Sequence, residues 1–208
     1  MVWGASGHAR VVADIVREQG EHEIAGFLED GAPAGAGREF CGARVLGGRE
    51  QLSSLRAGGV THLVFGFGDG EARLRLAPLV LEHGLALATA IHPRAVVARD
   101  ASIGAGSVIA AGAVVGPGST IGANAIVNTL AGVDHDCVVG DGAHVCPGAR
   151  LGGGVTVGER AWVGIGATVR DRVRLGRGAV IGAGAVVLHD VPDGVVAYGV
   201  PAKAVRRA

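Results

Sequence analysis

The sequence predicts two units of different class: a small α/β unit with a parallel sheet over residues 1–92, then a parallel β-helix over residues 93–190, capped by a tail at 191–208. Two regularities carry that prediction. Up to residue 92, strand-like and helix-like stretches alternate, the pattern of a parallel sheet covered by helices. Beyond it the hydrophobic period changes to six and stays there.

In the first unit, Val2-Trp3 leads into Gly4-Ala5-Ser6-Gly7-His8, and Val11, Val12, Ile15 and Val16 follow at helical spacing. That reads as strand, glycine turn and helix. A strand over residues 22–28 ends in Glu29-Asp30, followed by a glycine-rich loop, a short strand near Val45 and a helix over 49–57. Residues 60–67 read as a strand, Gly68-Asp69-Gly70 as a turn, 71–83 as a helix and 85–91 as a last strand. This Rossmann-like order predicts ligands at the carboxyl ends of the strands, where Gly4, Ser6, Gly7, His8, Glu29, Asp30 and Gly68 all fall. The Gly4 turn is neither the dinucleotide GxGxxG nor a nucleophile elbow. A helix N-terminus with free N–H groups suits a phosphate, although a tight turn serving only the fold has the same pattern.

In the second unit, stepping by six from Val97 to Val187 meets only Val, Ile or Leu at all sixteen positions. Two residues earlier the side chain is usually Ala, Ser or Cys, with Val155 and Val173 as larger exceptions. Each hexad is then one side of a triangular coil with the aliphatic residue pointing inward. Coils stacked at ~4.8 Å by parallel pairing bring residues 18 apart into buried columns, such as Val115, Val133, Leu151 and Val169.

Composition sets further limits. The chain has 208 residues, 49% of them hydrophobic, with 38 Gly but only seven aromatic residues, so an aliphatic core is expected and disorder is excluded. Nineteen basic residues balance nineteen acidic ones, so there is no basic surplus for nucleic acid. Cys41, Cys137 and Cys146 are odd in number and form no CxxC pair, which fits a reducing cytoplasm. His8 and Arg10 interrupt the apolar run that a signal peptide needs. Residues 101–133 carry no formal charge, but Pro117, two Asn and many Gly argue against a membrane span.

Within the hexads, polar chemistry concentrates in Asn128-Thr129, Val133-Asp134-His135-Asp136-Cys137 and His144. A histidine beside a carboxylate is a base whose tautomer the acid can fix, which is what deprotonating a nucleophile near neutral pH requires. Two histidines on a solvated face would read the same way. His135-x-Cys137 and His144-x-Cys146 raise the possibility of a metal, but structural zinc wants four convergent ligands and fewer are present, so no metal is expected. His135 and His144 are nine residues apart, one and a half sides of a coil, and so belong to different faces. Packing about a threefold axis would bring His135 of one chain near His144 of the next.

Taken together, Gly4-Ala5-Ser6-Gly7-His8, the hexads, Val133-Asp134-His135-Asp136-Cys137, His144-Val145, Gly164-Ile165-Gly166-Ala167 and Gly199-Val200-Pro201-Ala202-Lys203 resemble a known group over nearly the whole chain. That group is the hexapeptide-repeat, left-handed β-helix sugar acyltransferases, in the branch of nucleotide-amino-sugar N-acetyltransferases of the bacillosamine and perosamine kind and of sialic acid O-acetyltransferases. The resemblance implies acetyl transfer from acetyl-CoA to an amine, at C4, on a UDP- or GDP-linked deoxyamino sugar within a homotrimer. It implies His135 as general base and Asp136 as the acid that orients it, where close relatives carry Glu. It also implies Asn128 lining the cleft, His144 beside the acetyl group, and Gly153, Ile165 and Ala183 offering backbone groups to CoA. Arg170, Arg172, Arg174, Arg177 and Lys203 are candidates for its phosphates, or plain surface charge. Ser6, Gly7 and His8 would meet the phosphates or sugar, Gly68 would lie close by, and Glu29-Asp30 would meet the base. Direct transfer needs no covalent nucleophile. O-acetylation of a sugar, a metalloenzyme like the γ-type carbonic anhydrases and a silent binding scaffold are the competing readings.

Overall fold

The computed structural model describes residues 1–31 and 37–208. Most of the glycine-rich loop expected after Asp30 therefore lies outside the described residues. In chain order the first unit comprises β1 (Val2–Trp3), α1 (Gly7–Gln19), β2 (Phe27–Leu28), the hairpin strands β3 (Glu39–Phe40) and β4 (Ala43–Arg44), a 3-10 turn (Arg49–Gln51) running into α2 (Leu52–Leu55), β5 (His62–Phe65), α3 (Gly70–Glu82) and β6 (Ala86–Leu87). β2, β1, β5 and β6 form a parallel sheet in that order.

α1 buries Ala9, Val12, Ala13, Ile15 and Val16 on one face and ends at Gly20, whose φ of 74° turns the chain while its N–H caps Val16. α3 starts at Asp69, whose side chain accepts from the Ala72 N–H at 3.0 Å. Gly4 is required by space and by conformation: its φ is 130°, and a Cβ there would lie 2.8 Å from the Gly66 carbonyl oxygen.

Several expectations for this unit need correction. The strand expected over 22–28 pairs only at Phe27–Leu28, and Val45 joins it through a single bridge to Phe27. The helix expected over 49–57 begins as a 3-10 turn and ends at Leu55. The stretch 85–91 splits. Its first part pairs with β5, whereas β7 (Ala90–Ile91) pairs with Val108–Ile109 of the solenoid. The period of six thus reaches back one hexad before Val97, masked in the sequence because Thr89 occupies the small-residue slot.

The second unit is a left-handed parallel β-helix of about six coils. Its three faces are sheets of eight, six and five strands. Partners are 18 residues apart throughout, as in Val127 with Val145, Val115 with Val133 and Ile121 with Val139. The inward aliphatic columns are buried in one continuous core. Each such side chain contributes about 1.5–3 kcal/mol of burial, against a backbone ordering cost of about 1–2 kcal/mol per residue. A coil therefore holds only when stacked on its neighbours. Stepping by six from Gly106 to Gly184, every residue has positive φ; Asn124, Leu130, Asp136, Arg160 and Arg172 adopt it without being glycine.

The α/β unit sits on the eight-stranded face, where α1 packs against the outward side chains Val108, Ala110 and Ile126. Val195–Gly199 adds to the same sheet and Ala202–Arg207 folds back antiparallel. Among the described residues no helix is long and apolar enough to cross a membrane.

Candidate active site

The edge between the six- and five-stranded faces carries residues 134–136. There the Asp134 carboxylate accepts the His135 backbone N–H at 2.8 Å, and His135 Nδ1 lies 2.8 Å from Asp136 Oδ2. The left-handed φ of 57° at Asp136 turns its carboxylate back toward the preceding ring. That hydrogen bond, helped by Asp134 and opposed by Arg172, raises the His135 pKa above its ordinary value. With Nδ1 donating to the carboxylate, neutral His135 carries its lone pair on Nε2. The ring lies over Gly153 of the next coil, where a Cβ would stand 2.5 Å from Nε2. Around it is an open groove of about 1050 Å³ lined by Gly132, Arg150, Thr168, Arg172 and their neighbours.

A second cluster forms where the α/β unit meets the eight-stranded face. His144 stands on that face, 5% exposed, with its Nε2 3.0 Å from Asn128 Nδ2. The Asn128 Oδ1 accepts the Thr129 N–H, so its amide NH₂ faces the ring and His144 Nε2 is the acceptor. His144 Nδ1 then carries the proton beside the Gly68 backbone, which opposes the lowering of its pKa; it and His8 Nε2 are buried without a close hydrogen-bond partner among the described residues. The two rings are 6.0 Å apart, with Trp162 packed edge-on against His144 at 4.4 Å. Gly68 closes the wall: a Cβ there would meet His144 at 3.5 Å. Burial, then the charges of its neighbours, lowers the pKa of His8 to about 4 and of His144 to about 3, so both rings are neutral at physiological pH.

His8 is on the first turn of α1, whose start offers further polar groups. Ser6 is the N-cap, its side chain makes no capping hydrogen bond, and a Cβ at Gly7 would meet open space. The N–H groups at the start of this 13-residue helix can donate to an anion. Nearby, Glu29 pairs with Arg38 at 2.8 Å and Asp30 with Arg49 at 2.6 Å. Burial alone would raise the Asp30 carboxyl, but hydrogen bonds from the Arg49 side chain and backbone outweigh it and hold it below its usual range.

Within the chain, then, His135, Asp136 and Gly153 come together, and His8, Gly68, Asn128 and His144 come together elsewhere. Ile165 and Ala183 are exposed on a third line, the edge after the eight-stranded face, where Gly184 N–H donates to the Ile165 carbonyl. Cys137 and Cys146 are buried. Among the described residues no three His, Cys, Asp or Glu side chains converge as a metal set. Two participants were missed in the sequence: Trp162, and Arg73, a charged side chain on the inward face of α3. The position of Arg73 in that helix's apolar pattern was the available signal.

Family models match at both ends of the chain: the PglD N-terminal domain over residues 1–79 and the bacterial transferase hexapeptide repeats over 154–189. Comparison with curated proteins finds no match. Among solved structures, a single-substitution variant of perosamine N-acetyltransferase from Caulobacter crescentus, in complex with CoA and GDP-perosamine, is 41% identical. Its TM-score is 0.94, over 99% of this chain and 95% of that one. The chain belongs to the hexapeptide-repeat sugar N-acetyltransferases. The acetyltransferase domain of PglB from Neisseria gonorrhoeae, in complex with acetyl coenzyme A, is 37% identical with a TM-score of 0.91, covering 98% of this chain and 97% of that one. WeeI from Acinetobacter baumannii is 28% identical with a TM-score of 0.83, covering 98% of each chain. Membership in this acetyltransferase family accounts for both units, the α/β unit through the first model and the solenoid through the second.

Proposed function

We propose that the protein transfers the acetyl group of acetyl-CoA to the C4 amine of a nucleotide-linked deoxyamino sugar, with His135 as general base. The observation that carries this reading is the His135–Asp136 pair over Gly153: a fixed tautomer with a free Nε2 in an open groove. The relatives that bind CoA, GDP-perosamine or acetyl coenzyme A support the donor and the acceptor class.

The amine attacks the thioester carbonyl, a C–N bond forms and the C–S bond breaks. Nε2 of His135 takes the amine proton and returns it to the departing CoA sulfur. Asp136 stabilises the imidazolium formed in between. Asn128 and His144 line the reacting groups, and Gly153, Ile165 and Ala183 offer backbone groups to CoA. Ser6, Gly7 and His8 receive the diphosphate at the start of α1, with Gly68 beside them, and Glu29 and Asp30 face the base.

A homotrimer completes the site in this reading, because His135 and His144 lie on different faces of one protomer. A neighbouring chain in the groove of His135 would supply the second half. The test is release of CoA thiol from acetyl-CoA with UDP- and GDP-linked 4-amino sugars and with free sialic acid. Turnover confined to one nucleotide amino sugar is expected, whereas turnover with sialic acid alone would replace N- by O-acetylation.

A further inference from the structure

Arg73 is 1% exposed and, among the described residues, its hydrogen bonds go to backbone carbonyls and to no carboxylate. Its guanidinium donates to three backbone carbonyls: Nη1 to Phe67 at 3.0 Å, Nε to Asn124 at 2.9 Å and Nη2 to Gly142 at 2.9 Å. Phe67 precedes Gly68 in the α/β unit, and Gly142 is two residues before His144 on the solenoid. One side chain therefore ties together the two backbones that wall the His8–His144 pair. The joint is close on both sides: a Cβ on Gly70 would collide with the Gly142 carbonyl, and a Cβ on Gly142 would lie 2.9 Å from Leu74.

We propose that Arg73 is a positioning residue for the acceptor site, holding Gly68 and His144 in register by binding the backbones on both sides, so that the His8 and His144 rings keep their mutual placement. The proposal rests on the acetyltransferase reading given above. Packing alone does not call for a cation here, since an apolar side chain of similar volume is commonly as stable as a buried charge. The charge does act on the pair. Arg73 is the charged group facing both rings, adding to burial in keeping them unprotonated, while Asn128, Gly68 and Trp162 are uncharged and each ring also opposes protonation of the other. Asp69, at the start of α3, acts on Arg73 itself, whose own pKa is lowered to about 10 chiefly by burial.

The experiment has two arms. In the first, long-range ¹H–¹⁵N spectra of histidine-labelled protein without ligand follow each ring with pH. The wild-type His8 and His144 are expected to stay neutral down to pH 5, and in Arg73→Met both are expected to titrate at higher pH. In Arg73→Lys, which keeps the charge but cannot reach all three carbonyls, they are expected to stay neutral. In the second arm, both variants should show a KM for the nucleotide sugar raised about 10- to 100-fold with the Kd of CoA unchanged. Wild-type rings that titrate near their ordinary value would overturn the proposal, as would a folded Arg73→Met protein with unaltered titration and KM. The wild-type spectra test the placement even if Arg73→Met does not fold. If the wild type turns over no amino sugar, the acetyltransferase reading fails while the ring titrations still decide the placement.

Discussion

His135 Nδ1 and Asp136 Oδ2 lie 2.8 Å apart although they belong to consecutive residues and both side chains face solvent. Adjacent side chains on an extended strand point to opposite sides. Here the left-handed corner at Asp136 brings them together, so the same device that turns the coil builds the dyad.

Replacement Asp136→Asn removes the largest cause of the raised His135 pKa. In the proposed mechanism His135 acts when neutral, so the acidic limb of kcat/KM follows this pKa and should move to lower pH in the variant. The rate on the plateau should fall about 10²-fold because an amide can present N–H to Nδ1 and leave Nε2 protonated. A pH–rate profile from pH 5 to 9 checks both; an unmoved limb would mean that the dyad does not set it.

Gly153→Ala isolates the position of the proposed base, His135, from its chemistry. The new Cβ would stand 2.5 Å from His135 Nε2, and the exposed ring can swing away without disturbing the core. Melting temperature should be unchanged, and kcat should drop by about 10²-fold for a displacement of an ångström or so. Near-wild-type kcat would show that the ring does not work from this position.

If each site combines His135 of one chain with His144 of the next, mixed oligomers of His135→Ala and His144→Ala subunits should regain activity. Random mixing restores roughly a quarter of wild-type sites. The mixture is assayed after co-refolding equal amounts of the two variants. No activity above the separate variants would place both histidines of each site in one chain.

Acid stability follows from the second cluster. His8 and His144 have folded pKa values of about 4 and about 3, against an ordinary 6.5. Between these values the unfolded chain binds more protons, so stability should be fullest above pH 6.5 and fall as pH drops toward 4. Thermal melts of His144→Asn across this window should show a weaker dependence on pH than wild type. An identical dependence would mean that the His144 pKa is not lowered in the native protein.

The solenoid was legible because its period acts directly on side-chain burial: Val115, Val133 and Leu151 occupy one column whatever the rest of the chain does. Ile91 escaped because Thr89 and Pro93 obscure its hexad. Short strands such as Phe27–Leu28 are shorter than their apolar runs suggest, since such runs mark a strand without marking where its partner ends. Asp136 beside His135 could be read as a local pair. Arg73 could not, because its carbonyl partners Asn124 and Gly142 are 51 and 69 residues away and are set by how the two units meet. Trp162 beside His144 is brought there by the stacking of adjacent coils.

The central claim is that His135 removes the proton of the attacking amine. Its most direct test is CoA release with the nucleotide amino sugar that the enzyme accepts, comparing wild type with His135→Ala at equal CoA occupancy. The account predicts a fall of about 10²–10⁴ in kcat with the Kd of CoA unchanged. A variant that keeps kcat within a few-fold of wild type would contradict it.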